Sequence, residues 1–190
     1  PSKGHPLFEP SFTGRVQLGG RQLAENTLKQ FLTHKGSRYL YNISSPSTAE
    51  LYCSRLSPFL AYGVLSAREV QWAVDAKVEQ LTEEERKYWA RSLSAFQARL
   101  AWRDHFIQKL EDQPAIEYAC MHPAFESMRP RPGKTDYLNA WKTGQTGYPL
   151  VDACMRSLNY NGWVTFRMRA MLVSFASYHL WLDWRDTGDY

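Results

Sequence analysis

Cysteine is scarce in this sequence. Cys53, Cys120 and Cys154 are odd in number and form no Cys-x-x-Cys pair. That excludes a disulfide framework, argues against zinc and leads us to expect a reducing intracellular compartment, bacterial cytoplasm or equivalent. The five histidines, His5, His34, His105, His122 and His179, are scattered, with no His-x-x-x-His or Glu-x-x-His spacing for a metal. No Ser–His–Asp arrangement is legible. The apolar run Ala170 to Leu182, about thirteen residues, falls short of the ~20 needed to cross a bilayer, so no membrane partner is expected. A charged-then-apolar leader is missing as well. Period-two alternation, a Gly-x-Gly-x-x-Gly turn, a Walker loop and a βαβ pattern are all absent, which sets aside the common dinucleotide and P-loop folds. No internal repeat or low-complexity tract is visible. With Pro1 in place of a methionine, the expectation is a processed or excised piece.

What is present is aromatic and helical. The 190 residues are 44% hydrophobic, with seven Trp and eleven Tyr, enough for a proper core and far from a disordered composition. A net charge of +4 permits an anionic partner without requiring one. Pro1–Gly20 reads as an irregular lead-in rich in Pro and Gly, and residues 21–190 as an all-α domain of seven or eight helices with no sheet. Between Arg21 and His34, Leu23, Thr27, Leu28, Phe31 and Leu32 share one helical face, with Gly36 as the stop. Arg38 to Ser54 reads as loop. Ser66-Ala-Arg-Glu69 and Thr82-Glu-Glu-Glu85 are capping boxes. The second opens the longest helical pattern, whose stripe runs Trp89, Leu93, Phe96, Leu100, Arg103, Ile107, Leu110. Gln113-Pro114 ends it, residues 115–133 read as irregular, and Thr135 caps a short helix to Trp141.

Three features call for a chemical explanation. Ser57-Pro58 has the form of an N-cap followed by the first helical residue, and the hydroxyls of Ser54 and Ser57 beside free N–H groups would equally suit a phosphate. Arg103 lies in a core stripe, so its guanidinium needs a carboxylate, phosphate or carbonyl partner, either a structural ion pair or a ligand. Arg167 and Arg169 begin what reads as a central helix buried on all faces, where cations oppose the dipole and an anion is expected to compensate them; solvated surface arginines are the plainer alternative. The loop Gly144-Gln-Thr-Gly147-Tyr148-Pro149 feeds another helix, with Pro149 at its first position and Asp152 favoured by the dipole in its first turn. Aromatic residues lie beside these basic and hydroxyl groups, which points to a phosphate-bearing aromatic ligand or to nucleic acid.

Four segments in register bring a resemblance. Ser54-Arg-Leu-Ser57-Pro-Phe-Leu-Ala-Tyr-Gly63-Val-Leu-Ser66, Leu100-Ala-Trp102-Arg103-Asp104-His-Phe106, Gly144-Gln-Thr-Gly147-Tyr148-Pro149-Leu-Val-Asp152-Ala-Cys-Met-Arg156, and Gly162-Trp163 through Arg167-Met-Arg169 to Asp183-Trp184-Arg185 resemble the helical FAD-binding domain of the DNA photolyase and cryptochrome family. The order and spacing agree from about Gly14 onward. The resemblance implies an all-α domain that holds FAD folded into a U. Tyr41, Cys53, Ser54, Arg55, Leu56 and Ser57 would hold its ribityl and diphosphate portion, Phe96 would occupy a flavin-contacting position, and Arg169 would lie beside the isoalloxazine. Arg99, Trp102, Arg103, Phe106, Phe166 and Arg167 would face DNA and its lesion pocket. The implied activity is light-driven repair of pyrimidine dimers by an electron from reduced flavin. DNA binding would use a basic groove and a flipped lesion. The alternative is a non-catalytic helical module, a flavin-based sensor or a protein- or nucleic-acid-binding unit that has lost repair.

The sequence departs from the family's pattern at telling places. Arg99 stands where dimer-repairing members have a glutamate, Thr165-Phe166 where they have His-Asn, and Arg131 near a relay tryptophan. The family pattern also has an antenna domain before this region and an aspartate-rich, flavin-contacting segment after it, so this chain alone is expected to hold FAD weakly or not at all and to be inactive by itself.

Overall fold

In the computed structural model, residues 17–190 are described; the lead-in expected over Pro1–Gly20 lies outside them up to residue 16, as do His5 and Gly14. Among the described residues every regular element is helical and none is a strand, which makes the all-α class a finding. Six α-helices have nine residues or more: α1 (Arg21–Gln30), α5 (Ala67–Gln80), α6 (Glu83–Asp112), α7 (Thr135–Thr143), α8 (Pro149–Asn161) and α9 (Phe166–Ser174). Four are single turns: α2 (Tyr39–Asn42), α3 (Ala49–Tyr52), α4 (Ser57–Ala61) and α10 (Trp184–Gly188). They gather into two compact units, Leu18–Met128 and Arg129–Tyr190.

The N-terminal unit is built against α6. Both capping boxes form: Ser66 Oγ accepts the Glu69 N–H and Glu69 answers at the Ser66 N–H, and Thr82 and Glu85 do the same at the start of α6. Three glutamates, Glu83 to Glu85, follow at the positive end of that helix dipole. Trp89, Leu93, Phe96 and Leu100 are buried as the stripe predicts. Beyond Leu100 the stripe surfaces, with Ile107 and Leu110 exposed, because α6 outruns the elements packed on it.

Where α6 meets residues 36–40, polar and steric fits coincide. Ser92, fully buried, donates from Oγ to the Ser37 carbonyl at 2.9 Å and accepts the Leu40 N–H at 3.2 Å. Gly36 is not a helix stop. It sits at φ −64 inside the turn, and a Cβ there would lie 2.9 Å from both the Phe31 carbonyl oxygen and the Trp89 ring. Glycine is required by close approach. The expected α1 face is buried at Leu28, Phe31 and Leu32, but in its first turns Ala24 is buried while Leu23 is exposed and Thr27 is only half-buried. After Gln30 the helix widens into a π turn over Phe31–Lys35. Arg38–Ser54, expected as loop, carries α2 and α3, single turns too short to show a period. Arg21 ties α1 to α5 through the Val64 carbonyl and Glu69.

The C-terminal unit packs α7, α8 and α9 around Trp141, Val151, Met155, Met168, Leu172 and Leu182, with the Trp141 indole N–H donating to the Leu172 carbonyl at 3.1 Å. Thr135 is the first residue of α7 and makes no capping bond; Lys134 precedes the helix. The segment expected as one helix buried on all faces is neither continuous nor buried all round. After α9 it widens into a π turn over Phe175–His179, reverses at Trp181, which has φ 57, and restarts as α10 under an Asp183 cap. Met168, Leu172, Phe175 and Ala176 point inward, whereas Ala170, Ser174 and Tyr178 are exposed. The small and hydroxylic residues between the large apolar ones make it one-sided.

Pro149 opens α8 as expected. Asp152 does more than sit in the dipole: it is buried, Oδ1 accepts from the N–H and hydroxyl of Thr146, and Oδ2 accepts from the Gly147 N–H. Gly144 ends α7 at φ 66, where a Cβ would also meet the Asp152 carbonyl oxygen at 2.7 Å, and its own carbonyl receives Arg156 at 2.8 Å.

Replacing Ser92 by alanine leaves two backbone groups unanswered in the core, and Ser92→Ala is expected to cost about 1–3 kcal/mol in urea unfolding. For Asp152, burial pushes the carboxyl up, but the bonds from Thr146 and Gly147 together outweigh it and hold the carboxyl below its ordinary value of 3.8. Its contribution is therefore full above that value and is lost as pH falls through the folded one. Unfolding midpoints followed from about pH 5 to about pH 2 should fall less steeply in Asp152→Asn than in the parent chain, from a lower starting stability.

Candidate functional site

Burial and hydroxyl chemistry converge at one cavity in the N-terminal unit. It holds about 330 Å³ and is lined by Tyr39, Ser54, Leu56, Ser57, Leu60, Ala61, Phe96, Arg99, Leu100 and Arg103. One wall is α6, which presents Phe96, Leu100 and Arg103 at successive turns. The opposite wall is the short passage from Ser54 into α4. The floor is aromatic: Phe31, Tyr39 and Phe96 pack mutually, with ring centroids 4.7 to 5.6 Å apart and both Tyr39 contacts edge-on. Burial raises the Tyr39 hydroxyl far above its usual range, so the phenol stays neutral.

The passage into α4 differs from its expected form. Leu56, at φ −88 and ψ −12, precedes the helix; Ser57 is already its first residue, and no side chain caps it. A helical serine at that position points its hydroxyl away from the N–H groups a cap would serve. Ser57 is thus not a cap, and it lines the cavity together with Ser54. Just before it, Arg55 adopts φ 57, a conformation that costs a non-glycine residue energy, and its guanidinium lies 3.9 Å from Glu50. Cys53 is buried, and burial pushes its thiol up to about 11 against the opposing pull of Arg55, so it is not a nucleophile at neutral pH.

Of the residues singled out in the sequence, Ser54, Leu56, Ser57, Phe96, Arg99 and Arg103 line this one cavity. Cys53 and Arg55 belong to the same passage without lining it. Tyr41 is elsewhere, 70% exposed in a separate basin with Arg38 and Lys87; Tyr39, two residues earlier, faces the cavity in its stead. The signal for Tyr39 was the helical turn at 39–42, too short to read. Leu60, Ala61 and Leu100 were also missed, although each lies one turn beyond a residue that was found. Arg99 stacks over Trp102, its guanidinium carbon 4.8 Å from the ring centroid. Arg103 is half-buried and has a carboxylate partner in Asp104 at 2.9 Å. Trp102 and Phe106, one turn apart and in edge contact, are about half exposed.

Phe166, Arg167 and Arg169 belong to the other unit, all exposed in the first turn of α9, whose start is capped by Thr165 accepting the Met168 N–H. Neither arginine forms an ion pair among the described residues. Two carboxylates of this unit are held by other arginines: Asp183 by Arg185 at 2.8 Å and Asp186 by Arg131 at 3.3 Å. The bonds from the Arg185 side chain and N–H hold the Asp183 carboxyl below its usual range, against the opposing effect of burial. No group of three or more His, Cys, Asp or Glu side chains among the described residues could hold a metal, and no helix there is long and apolar enough to cross a membrane.

Comparison with known proteins bears on this geometry. The family described as the FAD-binding domain of DNA photolyase matches residues 96–190. A deoxyribodipyrimidine photo-lyase of Streptomyces griseus is 38% identical over 133 residues, 70% of this chain and 26% of that protein. Among solved structures, a bacterial class III photolyase from Agrobacterium tumefaciens superposes with a TM-score of 0.77 at 28% identity, over 88% of this chain and 33% of that one. A cryptochrome from Synechocystis gives 0.76 at 28% identity, over 89% and 34%. The chain thus spans roughly a quarter to a third of the proteins it matches.

The contrast between serines can be measured directly. Ser66→Ala removes a real cap and should cost about 1 kcal/mol, whereas Ser57→Ala should change stability by no more than ~0.5 kcal/mol. Equal losses in parallel urea titrations would restore Ser57 to a capping role.

Proposed function

The chain belongs to the family of FAD-binding domains of DNA photolyase, and from that premise we propose that its 330 Å³ cavity seats part of a bound FAD. The observation that carries this reading is the pair of serines, Ser54 and Ser57, in the lining of one cavity with the rings of Tyr39 and Phe96, the cationic side chains of Arg99 and Arg103, and aliphatic carbon. Hydroxyls suit phosphate oxygens, and the apolar walls suit a planar ring system. The residues present therefore fit the group. Its volume is near the lower end of the ~300–1,000 Å³ usual for ligand pockets, in keeping with a portion of the cofactor rather than all of it. Cys53, Arg55 and Leu56 shape the passage that presents the serines; Arg169, in the other unit, is proposed as a flavin-binding residue on the family resemblance alone. Tyr41 we assign no part in this cavity. Bound FAD would supply light absorption and one-electron transfer, chemistry that no side chain offers.

For the whole protein we propose a photolyase-related role on DNA, with Arg99, Trp102, Arg103 and Phe106 as nucleic-acid contacts of the N-terminal unit and, separately, Phe166 and Arg167 as contacts of the C-terminal unit. Exposed rings beside guanidinium groups suit unstacked bases and phosphates. Arg99 constrains the chemistry: a guanidinium has five donors and no acceptor, so it cannot take a hydrogen bond from the N–H edge of a pyrimidine as a carboxylate would. Cyclobutane dimer repair by this chain under blue light is accordingly not expected. The family match favours the flavin domain over a helical module without cofactor. Three free cysteines, two of them buried, support a reducing intracellular setting.

Titration with FAD and with riboflavin separates the serines from the ring pocket. The double variant Ser54→Ala/Ser57→Ala should weaken FAD about tenfold or more, since bonds to charged groups are worth about 1.5–3 kcal/mol each. Riboflavin, which lacks the diphosphate, should bind both proteins alike. An FAD affinity indifferent to both substitutions, read by flavin fluorescence, would remove the diphosphate from this end of the cavity.

A further inference from the structure

A second concavity of about 490 Å³ lies in the N-terminal unit, lined by Ser37, Arg38, Tyr41, Asn42, Lys87 and Tyr88. No carboxylate is among the six, and two are cations. Lys87 forms no ion pair among the described residues, even though Glu83 and Glu84 precede it by about one turn of α6. Arg38 is already held in place: Nη1 donates to the Tyr52 hydroxyl at 3.1 Å, and its guanidinium carbon lies 5.7 Å from the centre of that ring. Tyr41 and Tyr88 are 70% and 66% exposed, so two large rings stand at a cationic surface without packing. The walls are firm, because the 36–40 turn and α6 are joined beneath them by Ser92. Asn42 donates to the Arg38 carbonyl and accepts from Thr48, leaving its amide little capacity to read a base edge.

Two cations select an anion, and two exposed rings select a planar aromatic partner. The geometry points to a second ligand site, distinct from the flavin cavity, that takes one nucleotide: the phosphate at Arg38 and Lys87, the base on Tyr41 and Tyr88, with little preference among bases. The nucleotide is either free or a unit of single-stranded nucleic acid. The inference stands independently of the flavin reading, since none of these six residues lines that cavity.

The test uses the 190-residue chain with two probes, thymidine monophosphate and a labelled short oligothymidylate, against the single variants Lys87→Gln and Tyr88→Ala. Both side chains are exposed, and unchanged helical circular dichroism verifies the fold. Each variant should weaken probe binding about tenfold. With the strand, Lys87→Gln should also reduce the slope of log affinity against log salt by about 0.7, the value for one phosphate contact on a single strand, while Tyr88→Ala leaves that slope in place. A purely structural role would not divide the two variants this way. A strand bound far more tightly than the monophosphate identifies nucleic acid as the source; comparable affinities identify a free nucleotide. Absence of binding by the parent chain to either probe, or binding that both variants leave unchanged, overturns the proposal. FAD titrations run alongside should be unaffected by either substitution, so failure here is distinguishable from failure of the flavin reading.

Discussion

The Ser92 hydroxyl is the fastening on which the N-terminal unit depends. It gives its proton to one backbone carbonyl and receives another residue's N–H, so a single buried oxygen joins α6 to the turn at 36–40 and leaves neither main-chain group unanswered. Gly36 allows the approach, because any side chain there would collide with Trp89. Everything near the cavity follows from that junction. It sets Tyr39 against Phe96, fixes the aromatic floor, and leaves Arg38 and Tyr41 on the outer side. One polar contact thereby separates an inner apolar cavity from an outer cationic basin.

Charge is distributed with similar economy. Two acidic groups of the C-terminal unit are bound to other arginines, Asp183 to Arg185 and Asp186 to Arg131. The two cations at the start of α9 are exposed, against the helix dipole. In the N-terminal unit, Arg103 finds its carboxylate next door in Asp104 while Arg99 lies over an indole. Cations held by π faces or left in water keep their full charge available to a ligand; those locked in ion pairs mainly support the scaffold.

Much of the fold could be read from the sequence wherever a signal is local. Both capping boxes, Pro149 at its helix start, and the stop at Gln113-Pro114 are decided within four residues, and the structure has them all. The longer periodicities were legible only as far as something packs against them: the α6 stripe is buried to Leu100 and exposed beyond it. Failures have one physical source, the absence of tertiary information in a local pattern. Gly36 reads as a stop until Trp89 is seen against it. Ser57 reads as a cap until the backbone of Leu56 turns helical one residue early. Tyr39 and Tyr41 are indistinguishable until a single turn of helix chooses which one faces inward. For the cavity, local chemistry singled out Ser54, Ser57 and Arg103, while the family resemblance supplied Leu56, Phe96, Arg99 and the ligand.

The loop before α8 has a further consequence. Helix starts commonly receive anions because their N–H groups are unanswered, and Thr146 and Gly147 would be natural hosts in a protein that binds phosphates. Here Asp152 bends back to occupy both, with the Thr146 hydroxyl as a third donor. The helix has brought its own anion and is self-neutralised. A phosphate arriving at this loop would meet a carboxylate already in residence, so the N–H groups just ahead of α8 are closed to anions, and the work of attracting them falls to groups elsewhere.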